Sequence, residues 1–243
     1  MSQVLRIQDV HRIYENEAGI THVLHGVNLS VERGELLVIM GPSGSGKSTL
    51  MNIMGCLDRP TLGTYTLEGI DVSELSDDDL AFIRSTRIGF VFQSFNLLPR
   101  ATVLRNVTLP LIYARTPKAE RVERAIEALT MVGVPVDLFD HRSNQLSGGQ
   151  MQRVAIARAI VNDPALILAD EPTGNLDSAT SDMVMATFSH LRDQNKTVVL
   201  ITHDPEVAEW ADRVIYIRDG ILLTAEQEEA YVKSRDGQAR GRT

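Results

Sequence analysis

Apolar residues along the chain fall into five short runs that polar segments separate. Runs of this length without polar alternation predict strands that are buried on both faces of a largely parallel sheet. We therefore expect an α/β core in which helices flank a mostly parallel sheet. The five runs are Leu36–Met40, Ile88–Phe92, Leu166–Ala169, Val198–Ile201 and Val214–Ile217.

The N-terminal segment has a different pattern, in which apolar and polar residues alternate with a rough period of two. Such alternation is typical of antiparallel strands with one face in water. The alternating stretches flank a turn-like sequence at Glu17–Gly19, so we expect an antiparallel β subdomain here. The apolar positions are Leu5 and Ile7 before the turn, and Val23, Val27, Leu29 and Val31 after it.

The strand pattern disappears between Ser94 and Val161, where helical spacing replaces it. Thr116-Pro117 is a predicted N-cap and first-turn proline, Gly133 can end that helix, and a second helix is expected over about residues 149–161. The segment carries a net charge of +4, from nine Lys and Arg against five Asp and Glu, within a chain of net charge −8. This contrast predicts a helical subdomain, residues 94–161, inserted into an acidic α/β core.

Composition limits the domain organisation, the localisation and the partners. We expect one domain over residues 1–225 and a polar, flexible tail over residues 226–243. The net charge of −8 argues against binding to nucleic acid. One cysteine, no apolar run that could span a membrane and no signal-peptide pattern favour the cytoplasm. The acidic segment Asp71–Asp79 is interpreted as a solvated turn rather than a metal site.

A glycine-rich loop directly after the first apolar run matches the pattern G-x-x-x-x-G-K-[ST]. An apolar helix is predicted at Thr49–Cys56, so the loop's backbone N–H groups can converge on a phosphate at a helix N-terminus. We expect Lys47 to bridge the β- and γ-phosphates of a nucleoside triphosphate, and Ser48 to ligate Mg²⁺. The predicted nucleotide-binding residues are Gly41, Ser43, Gly44, Ser45, Gly46, Lys47, Ser48 and Thr49.

Two carboxylates follow the third apolar run. A nucleoside triphosphate site needs a carboxylate near its metal, and we expect it on a strand neighbouring the one that precedes the glycine-rich loop. Asp170 ends the predicted strand and is expected to hold Mg²⁺ through water. Glu171 follows it and is predicted to polarise the attacking water as general base.

The glycine-rich loop by itself does not distinguish one class of nucleotide enzyme from another. A small-molecule kinase or a GTPase carries the same loop, but the guanine-reading pattern N-K-x-D is absent from the sequence. The dinucleotide-binding pattern G-x-G-x-x-G fails as well, because the stretch from Gly44 ends in Thr49. The residues that choose among these classes therefore lie elsewhere.

Leu146–Gln150, with the sequence LSGGQ, stands 20 residues before Asp170 at the predicted start of a helix. This segment resembles the signature loop of ATP-binding-cassette ATPases, and a serine-glycine turn at a helix N-terminus is physically a second anion site. The resemblance implies that two chains face each other head to tail and enclose two ATP molecules. In that arrangement Ser147, Gly148, Gly149 and Gln150 of one chain contact the ATP held by the other.

The same resemblance covers about residues 4–223 and assigns roles to four further residues. It implies that Tyr14 stacks on adenine, and that Gln93, after the second apolar run, senses Mg²⁺ and the γ-phosphate. His203 matches the switch histidine that contacts the γ-phosphate and holds Glu171. Asp177 belongs to the loop Asn175–Asp177, which lies at the dimer interface of the family.

Residues 51–60 and 171–177 are similar to the branch of that family that contains macrolide exporters and lipoprotein-releasing ATPases. The resemblance implies an integral membrane permease as partner, contacted through Gln93–Leu98, and a peripheral location on the inner face of the membrane. Exposed apolar residues at Phe95–Leu98 would indicate such a contact, whereas buried ones would be core. A permease-independent ATPase, for example in iron–sulfur cluster assembly, remains the alternative.

Overall fold

A computed structural model describes residues 2–16 and 19–240, without the side chains of residues 16 and 235–240. The predicted turn at Glu17 therefore lies outside the described residues. The described residues form ten strands, namely β1 (Gln3–Asn16), β2 (Gly19–Glu32), β3 (Leu36–Met40), β4 (Leu62–Leu67), β5 (Ile70–Asp71), β6 (Ile88–Phe92), β7 (Leu166–Asp170), β8 (Thr197–Thr202), β9 (Arg213–Arg218) and β10 (Ile221–Leu223). The helices are α1 (Lys47–Met54), α2 (Asp77–Arg87), α3 (Val103–Tyr113), α4 (Lys118–Met131), α5 (Gly148–Ile160), α6 (Ser178–Asp193), α7 (Pro205–Ala208) and α8 (Ala225–Arg240).

The five apolar runs form the six-stranded central sheet together with β10, in the order β10-β9-β3-β8-β7-β6. All pairs are parallel except β10 with β9. Every residue of β8 is buried, as are the first four of β3 and of β7, because helices or the second sheet cover both faces. The prediction of a mostly parallel α/β sheet is confirmed.

Parallel pairing brings the carboxyl ends of these strands to one edge of the sheet. The register pairs Phe92 with Asp170, Asp170 with Ile201, and Met40 with Thr202. The residue that follows each strand therefore emerges at nearly the same height. This edge carries the functional residues described below.

The predicted antiparallel β subdomain is also confirmed, as a four-stranded sheet in the order β2-β1-β4-β5. Its buried side chains, among them Leu5, Ile7 and Tyr65, pack with α1 into a core on one face of the central sheet. A second core on the other face joins the central sheet to α3, α4, α5 and α6. The central sheet thus lies between two apolar layers.

The segment between β6 and β7 contains α3, α4 and α5. Helix α4 begins one residue later than predicted, because Pro117 itself occupies the N-cap and Thr116 is buried before it. Gly133 follows the end of α4 with φ = +70°, as its predicted role requires. The sequence pattern missed α3, in which Pro110 interrupts the usual helix signals while Thr102 caps the N-terminus.

Two polar segments are more ordered than the sequence suggested. Asp77 to Asp79 form the first turn of α2, where three carboxylates face the positive end of the helix and Ser76 is the N-cap. Of the segment predicted to be a flexible tail, residues 226–240 belong to helix α8, and residues 241–243 lie outside the described residues. The start of α8 carries a capping pair, in which Thr224 N–H donates to Gln227 Oε1 and Gln227 N–H donates to Thr224 Oγ1. Buried Glu228 accepts hydrogen bonds from Arg218 of β9.

Among the described residues, no helix is both long enough and apolar enough to cross a bilayer.

Gly220 in the hairpin between β9 and β10 shows how closely the two sheets approach. Its φ is +77°, and an added Cβ would lie 2.2 Å from the carbonyl oxygen of Val23 in β2. Gly220 N–H donates to the Ser45 carbonyl of the glycine-rich loop, and His25 N–H donates to the Gly220 carbonyl. Gly220 therefore joins the smaller sheet, the central sheet and the loop.

We expect Gly220→Ala to lower the free energy of unfolding by about 3 kcal/mol, since it adds a clash to an unfavourable φ. Gly69→Ala is the matched control, because Gly69 has φ = +78° in a hairpin turn and no atom within 4 Å of an added Cβ. The control should lose only about 1 kcal/mol. Urea denaturation of both variants measures the difference, and equal losses would show that Val23 moves aside without cost.

Candidate functional site

The glycine-rich loop lies between β3 and α1, and its conformation depends on two glycines with positive φ. Gly44 has φ = +80°, and Gly46, the N-cap of α1, has φ = +106°. Helix α1 therefore begins at Lys47, and its free N–H groups point into the loop. The hydroxyl oxygen of Ser45 is buried without a hydrogen-bond partner in the part of the chain that the structure describes. The loop thus offers several unused donors to an anion.

Lys47 folds back onto its own loop. Its Nζ donates to the carbonyls of Gly41 at 2.6 Å and Pro42 at 2.8 Å. Burial lowers the pKa of Lys47, while the nearby carboxylates of Glu171 and Asp170 act in the opposite direction. The lysine therefore stands beside both predicted acidic residues, which belong to another strand.

The expectation that Asp170 lies on a strand next to β3 is wrong. The order β3-β8-β7 places β8 between them, about 10 Å from axis to axis across the two spacings. The glycine-rich loop and the carboxylate are still close, because both follow the carboxyl ends of strands at one edge of the sheet, and the charge of Asp170 acts on Lys47. Burial raises the pKa of Asp170, and Glu171 acts in the same direction.

Glu171 leaves β7 with φ = +45°, a conformation that is unfavourable for a residue with a side chain. Its N–H donates to the Ile201 carbonyl at 2.8 Å, which fixes this turn against β8. One carboxylate oxygen accepts a hydrogen bond from Thr202 Oγ1 at 2.9 Å, and the other lies 2.7 Å from His203 Nδ1. The structure therefore brings the predicted pair Glu171 and His203 into direct contact.

Gln93 follows β6 at the same edge, and its side chain is exposed. Asn175 Nδ2 donates to the Gln93 carbonyl at 2.9 Å, and the two side-chain amides lie 3.5 Å apart. Gly174 permits this approach, since an added Cβ would lie 2.6 Å from Gln93 Nε2. The loop after β6 is thus tied to the loop after β7.

The LSGGQ segment forms the start of α5. Ser147 is the N-cap, where its Oγ accepts a hydrogen bond from Gln150 N–H, and the Gln150 side chain accepts one from Ser147 N–H. Gly148 and Gly149 face Leu176 and Thr180, so the turn packs beside the start of α6. Within this chain the segment therefore has a capping role.

Asp177 is the N-cap of α6 and accepts hydrogen bonds from the N–H and the hydroxyl of Thr180. These hydrogen bonds lower the pKa of Asp177. The carboxylate has its own structural role at this position, beside the glycines of the LSGGQ turn.

Tyr14 lies near the end of β1 in the smaller sheet, where it pairs with Thr21 of β2. Its hydroxyl donates to Asp58 Oδ2 at 2.8 Å, and the Arg12 guanidinium lies 4.3 Å from the ring centroid. The ring is half-buried and held on one face.

The residues at this edge fit a nucleoside triphosphate with Mg²⁺. The loop has backbone donors, one lysine and a buried, unpartnered hydroxyl. Ser48, Gln93 and Asp170 offer only oxygen ligands to a metal, and Mg²⁺ prefers oxygen.

Four residues that support this arrangement were not identified from the sequence. Thr202 and Asp58 hold Glu171 and Tyr14. On α5, Gln152 is fully buried and donates to the Pro172 carbonyl at 2.7 Å. Arg158 donates to the carbonyls of Phe95 and Asn96. The two α5 side chains donate to main-chain carbonyls, and a sequence pattern does not reveal which carbonyl a side chain will reach. Thr202 could have been identified, because it directly precedes His203.

Residues 24–174 match the family described as ABC transporter. The chain is 54% identical over 224 residues to the uncharacterized ABC transporter ATP-binding protein YvrO of Bacillus subtilis, covering 92% of this chain and 97% of that protein. It is 52% identical over 221 residues to the macrolide export ATP-binding/permease protein MacB of Brucella melitensis, covering 91% of this chain and 34% of MacB.

Solved structures give the same result. The fold matches the dimeric structure of MJ0796, an ABC transporter cassette, with a TM-score of 0.81 and 48% identity over 90% of this chain and 96% of that one. MJ0796 comes from Methanocaldococcus jannaschii. A second structure of MJ0796, in a post-hydrolysis state bound to ADP and Pi, matches with a TM-score of 0.81 and 47% identity, over the same shares of both chains.

The raised pKa of Asp170 predicts a stability change with a defined pH dependence. The folded state binds the Asp170 proton more tightly than the unfolded state, so the ionised carboxylate destabilises the fold at neutral pH. Asp170→Asn should therefore raise the midpoint of thermal unfolding at pH 7 without nucleotide. The gain should shrink as the pH falls toward the ordinary value of 3.8, because the carboxyl of the folded state becomes protonated at a higher pH than that of the unfolded state.

Calorimetry between pH 7 and pH 4 tests this expectation. Asp140→Asn is the control, because Asp140 is exposed and lies outside the site. A midpoint for Asp170→Asn at pH 7 that is equal to or below the parent value would contradict an unfavourable charge at this position.

Proposed function

The chain belongs to the ABC transporter family, as an ATP-hydrolysing cassette, and we propose that two copies of it form a head-to-tail dimer that drives a membrane permease. The dimeric structure of MJ0796, similar over 90% of this chain, supports the dimer. MacB, in which a similar cassette shares one chain with a permease, supports the membrane partner. The permease would be of the macrolide-exporter or lipoprotein-releasing type and would keep the cassette on the cytoplasmic face of the membrane.

In the proposed mechanism the glycine-rich loop binds the phosphates of ATP. Lys47 exchanges the carbonyls of Gly41 and Pro42 for phosphate oxygens, which are better partners for an ammonium group. Ser48, Gln93 and Asp170 would hold Mg²⁺, and the ion would neutralise part of the negative charge on the phosphates. In the dimer, Ser147 and Gly149 of one chain approach the γ-phosphate held by the other.

Glu171 is the proposed general base, and the contact with His203 and Thr202 is the observation that carries this assignment. Each carboxylate oxygen accepts one hydrogen bond and keeps a lone pair for a water proton. Hydrolysis removes the γ-phosphate and reopens the dimer. The difference in ATP affinity between closed and open states is the source of work on the permease.

A groove of about 1000 Å³ beside the Gln93 loop is the proposed permease site. The predicted contact at Phe95–Leu98 offers only a small apolar surface by itself, since Leu98 is exposed while Phe95 and Leu97 are half-buried. The groove lies between the α/β core and the helices that follow β6. Its lining includes Phe90, Phe92 and Arg158, with exposed Leu57, Phe82 and Tyr113 at the rim.

An apolar groove that spans two parts of the fold suits an amphipathic helix of the permease. Arg158 lines the groove and bonds to the carbonyls after Gln93, so an inserted helix would lie against the segment that reads the nucleotide. The groove therefore extends the predicted contact surface from residues 93–98 to α2 and α3.

We expect Glu171→Gln to lower the ATP hydrolysis rate at least about 100-fold, because a general base contributes about 10²- to 10⁴-fold. ATP binding should persist, so a stable dimer should appear with ATP in size-exclusion chromatography. Glu209→Gln, at an exposed glutamate outside the site, is the control. A variant at Glu171 with the parent rate would remove this residue from the role of base.

We also expect Phe82→Ala and Tyr113→Ala to reduce the stimulation of ATP hydrolysis by the proposed permease. The two side chains are 63% and 69% exposed, so their removal should leave the fold intact. Val136→Ala, at a residue 73% exposed, is the matched control. Full stimulation in both groove variants would exclude this site, and co-purification with soluble scaffold proteins in place of a permease would favour the cluster-assembly alternative.

A further inference from the structure

Arg12, Tyr14 and Asp58 form a closed cluster that the mechanism above does not use. Arg12 Nε donates to Asp58 Oδ2 at 2.9 Å, and Arg12 Nη2 lies 2.8 Å from Asp58 Oδ1, a two-pronged ion pair. The Tyr14 hydroxyl donates to the same Oδ2 at 2.8 Å, and the Arg12 guanidinium covers one face of the Tyr14 ring at 4.3 Å. Each of the three side chains contacts the other two.

The interactions in this cluster are stronger than ordinary hydrogen bonds between neutral groups. A planar guanidinium fits a carboxylate in two parallel hydrogen bonds, and it also stacks on an aromatic face. The side chains of Arg12 and Asp58 are only 21% and 22% exposed, so water competes less with their contacts than at an open surface. The orientation of the Tyr14 ring is therefore fixed from its face and from its hydroxyl.

Asp58 connects this cluster to the phosphate loop. Leu57 N–H and Asp58 N–H both donate to the Asn52 carbonyl of α1, at 2.8 and 3.1 Å. Helix α1 begins at Lys47 and contains Asn52, so these hydrogen bonds attach Asp58 to the helix that starts in the phosphate loop. The Tyr14 ring thus has a set distance from the phosphate loop, although it belongs to the other sheet.

We propose that Arg12 and Asp58 are positioning residues that hold the Tyr14 ring ready for adenine, with the ring face opposite Arg12 as the stacking surface. This proposal rests on the proposed function, in which the loop binds ATP, and on the expectation from the sequence that Tyr14 stacks on adenine. A ring that is already ordered loses less conformational freedom when a ligand stacks on it. The cluster therefore sets how much the base adds to the affinity that the phosphates provide.

The competing explanation is that the cluster only joins the smaller sheet to the core. The same region contains such joints, because Ile13 N–H donates to Thr61 Oγ1 and Thr61 N–H donates to the His11 carbonyl. If the cluster is only a structural joint, substitutions in it would lower the stability of the fold or weaken the binding of all ligands equally. A positioning role would affect only ligands that carry a base.

The experiment compares ATP with inorganic tripolyphosphate, both with Mg²⁺, by titration calorimetry on the full chain. Arg12→Ala and Asp58→Asn should weaken ATP binding about 3- to 10-fold, a part of what base–aromatic stacking contributes. Tripolyphosphate binding should not change, and the ATP hydrolysis rate at saturating ATP should stay the same while KM rises. Arg12→Lys should recover part of the ATP affinity, because it keeps a cation over the ring.

Tyr14→Phe keeps the proposal testable if Arg12→Ala fails to fold, since it removes only the hydroxyl bond to Asp58. Tyr14→Phe should weaken the binding of ATP and leave the binding of tripolyphosphate unchanged. Equal weakening of both ligands, or unchanged ATP affinity in all variants, would overturn the proposal. If the parent chain binds both ligands equally and still hydrolyses ATP, the positioning role is wrong while the proposed function stands. If the parent chain hydrolyses no ATP with its permease, the proposed function fails.

Discussion

The parallel register of β6, β7, β8 and β3 is the constraint on which the rest of the structure depends. The last residues of the four strands pair at nearly the same height: Phe92 with Asp170, Asp170 with Ile201, and Met40 with Thr202. The residues that follow the strands therefore meet at one edge of the sheet. A slip of one residue in any strand would exchange the side chains on its two buried faces and displace the residue that follows it, so close packing on both faces holds the register. The position of the site is therefore a consequence of the core.

Much of the fold and of the site could be predicted because motifs and strands coincide. The LLVIM run followed by GPSGSGKS gave both β3 and the loop, and LILA followed by Asp170 and Glu171 gave both β7 and the carboxylates. Strand order could not be predicted, since an apolar run does not reveal its neighbours, and β8 was not expected between β3 and β7. Helix α8 was missed although Thr224 and Gln227 have capping spacing, because its later residues lack an apolar face.

Helix α5 connects the two surfaces that the proposed function requires. Its N-terminus carries Ser147, its buried Gln152 donates to the carbonyl directly after Glu171, and Arg158 donates to the carbonyls of Phe95 and Asn96. Both Phe95 and Asn96 have positive φ, so this turn needs outside support. A movement of α5 would therefore act on the base, on the Gln93 loop and on the groove together.

The charges at the sheet edge explain how an acidic chain can bind a polyanion. Lys47 has a lowered pKa and Asp170 a raised one, each chiefly because of burial, so the charged forms of both groups are poorly solvated. Phosphate oxygens would give the lysine a full partner, and a cation would give the carboxylate one. The net charge of −8 is distributed over the chain, whereas the anion would contact backbone N–H groups and one lysine. Local donors, rather than the overall charge, therefore decide whether a phosphate binds.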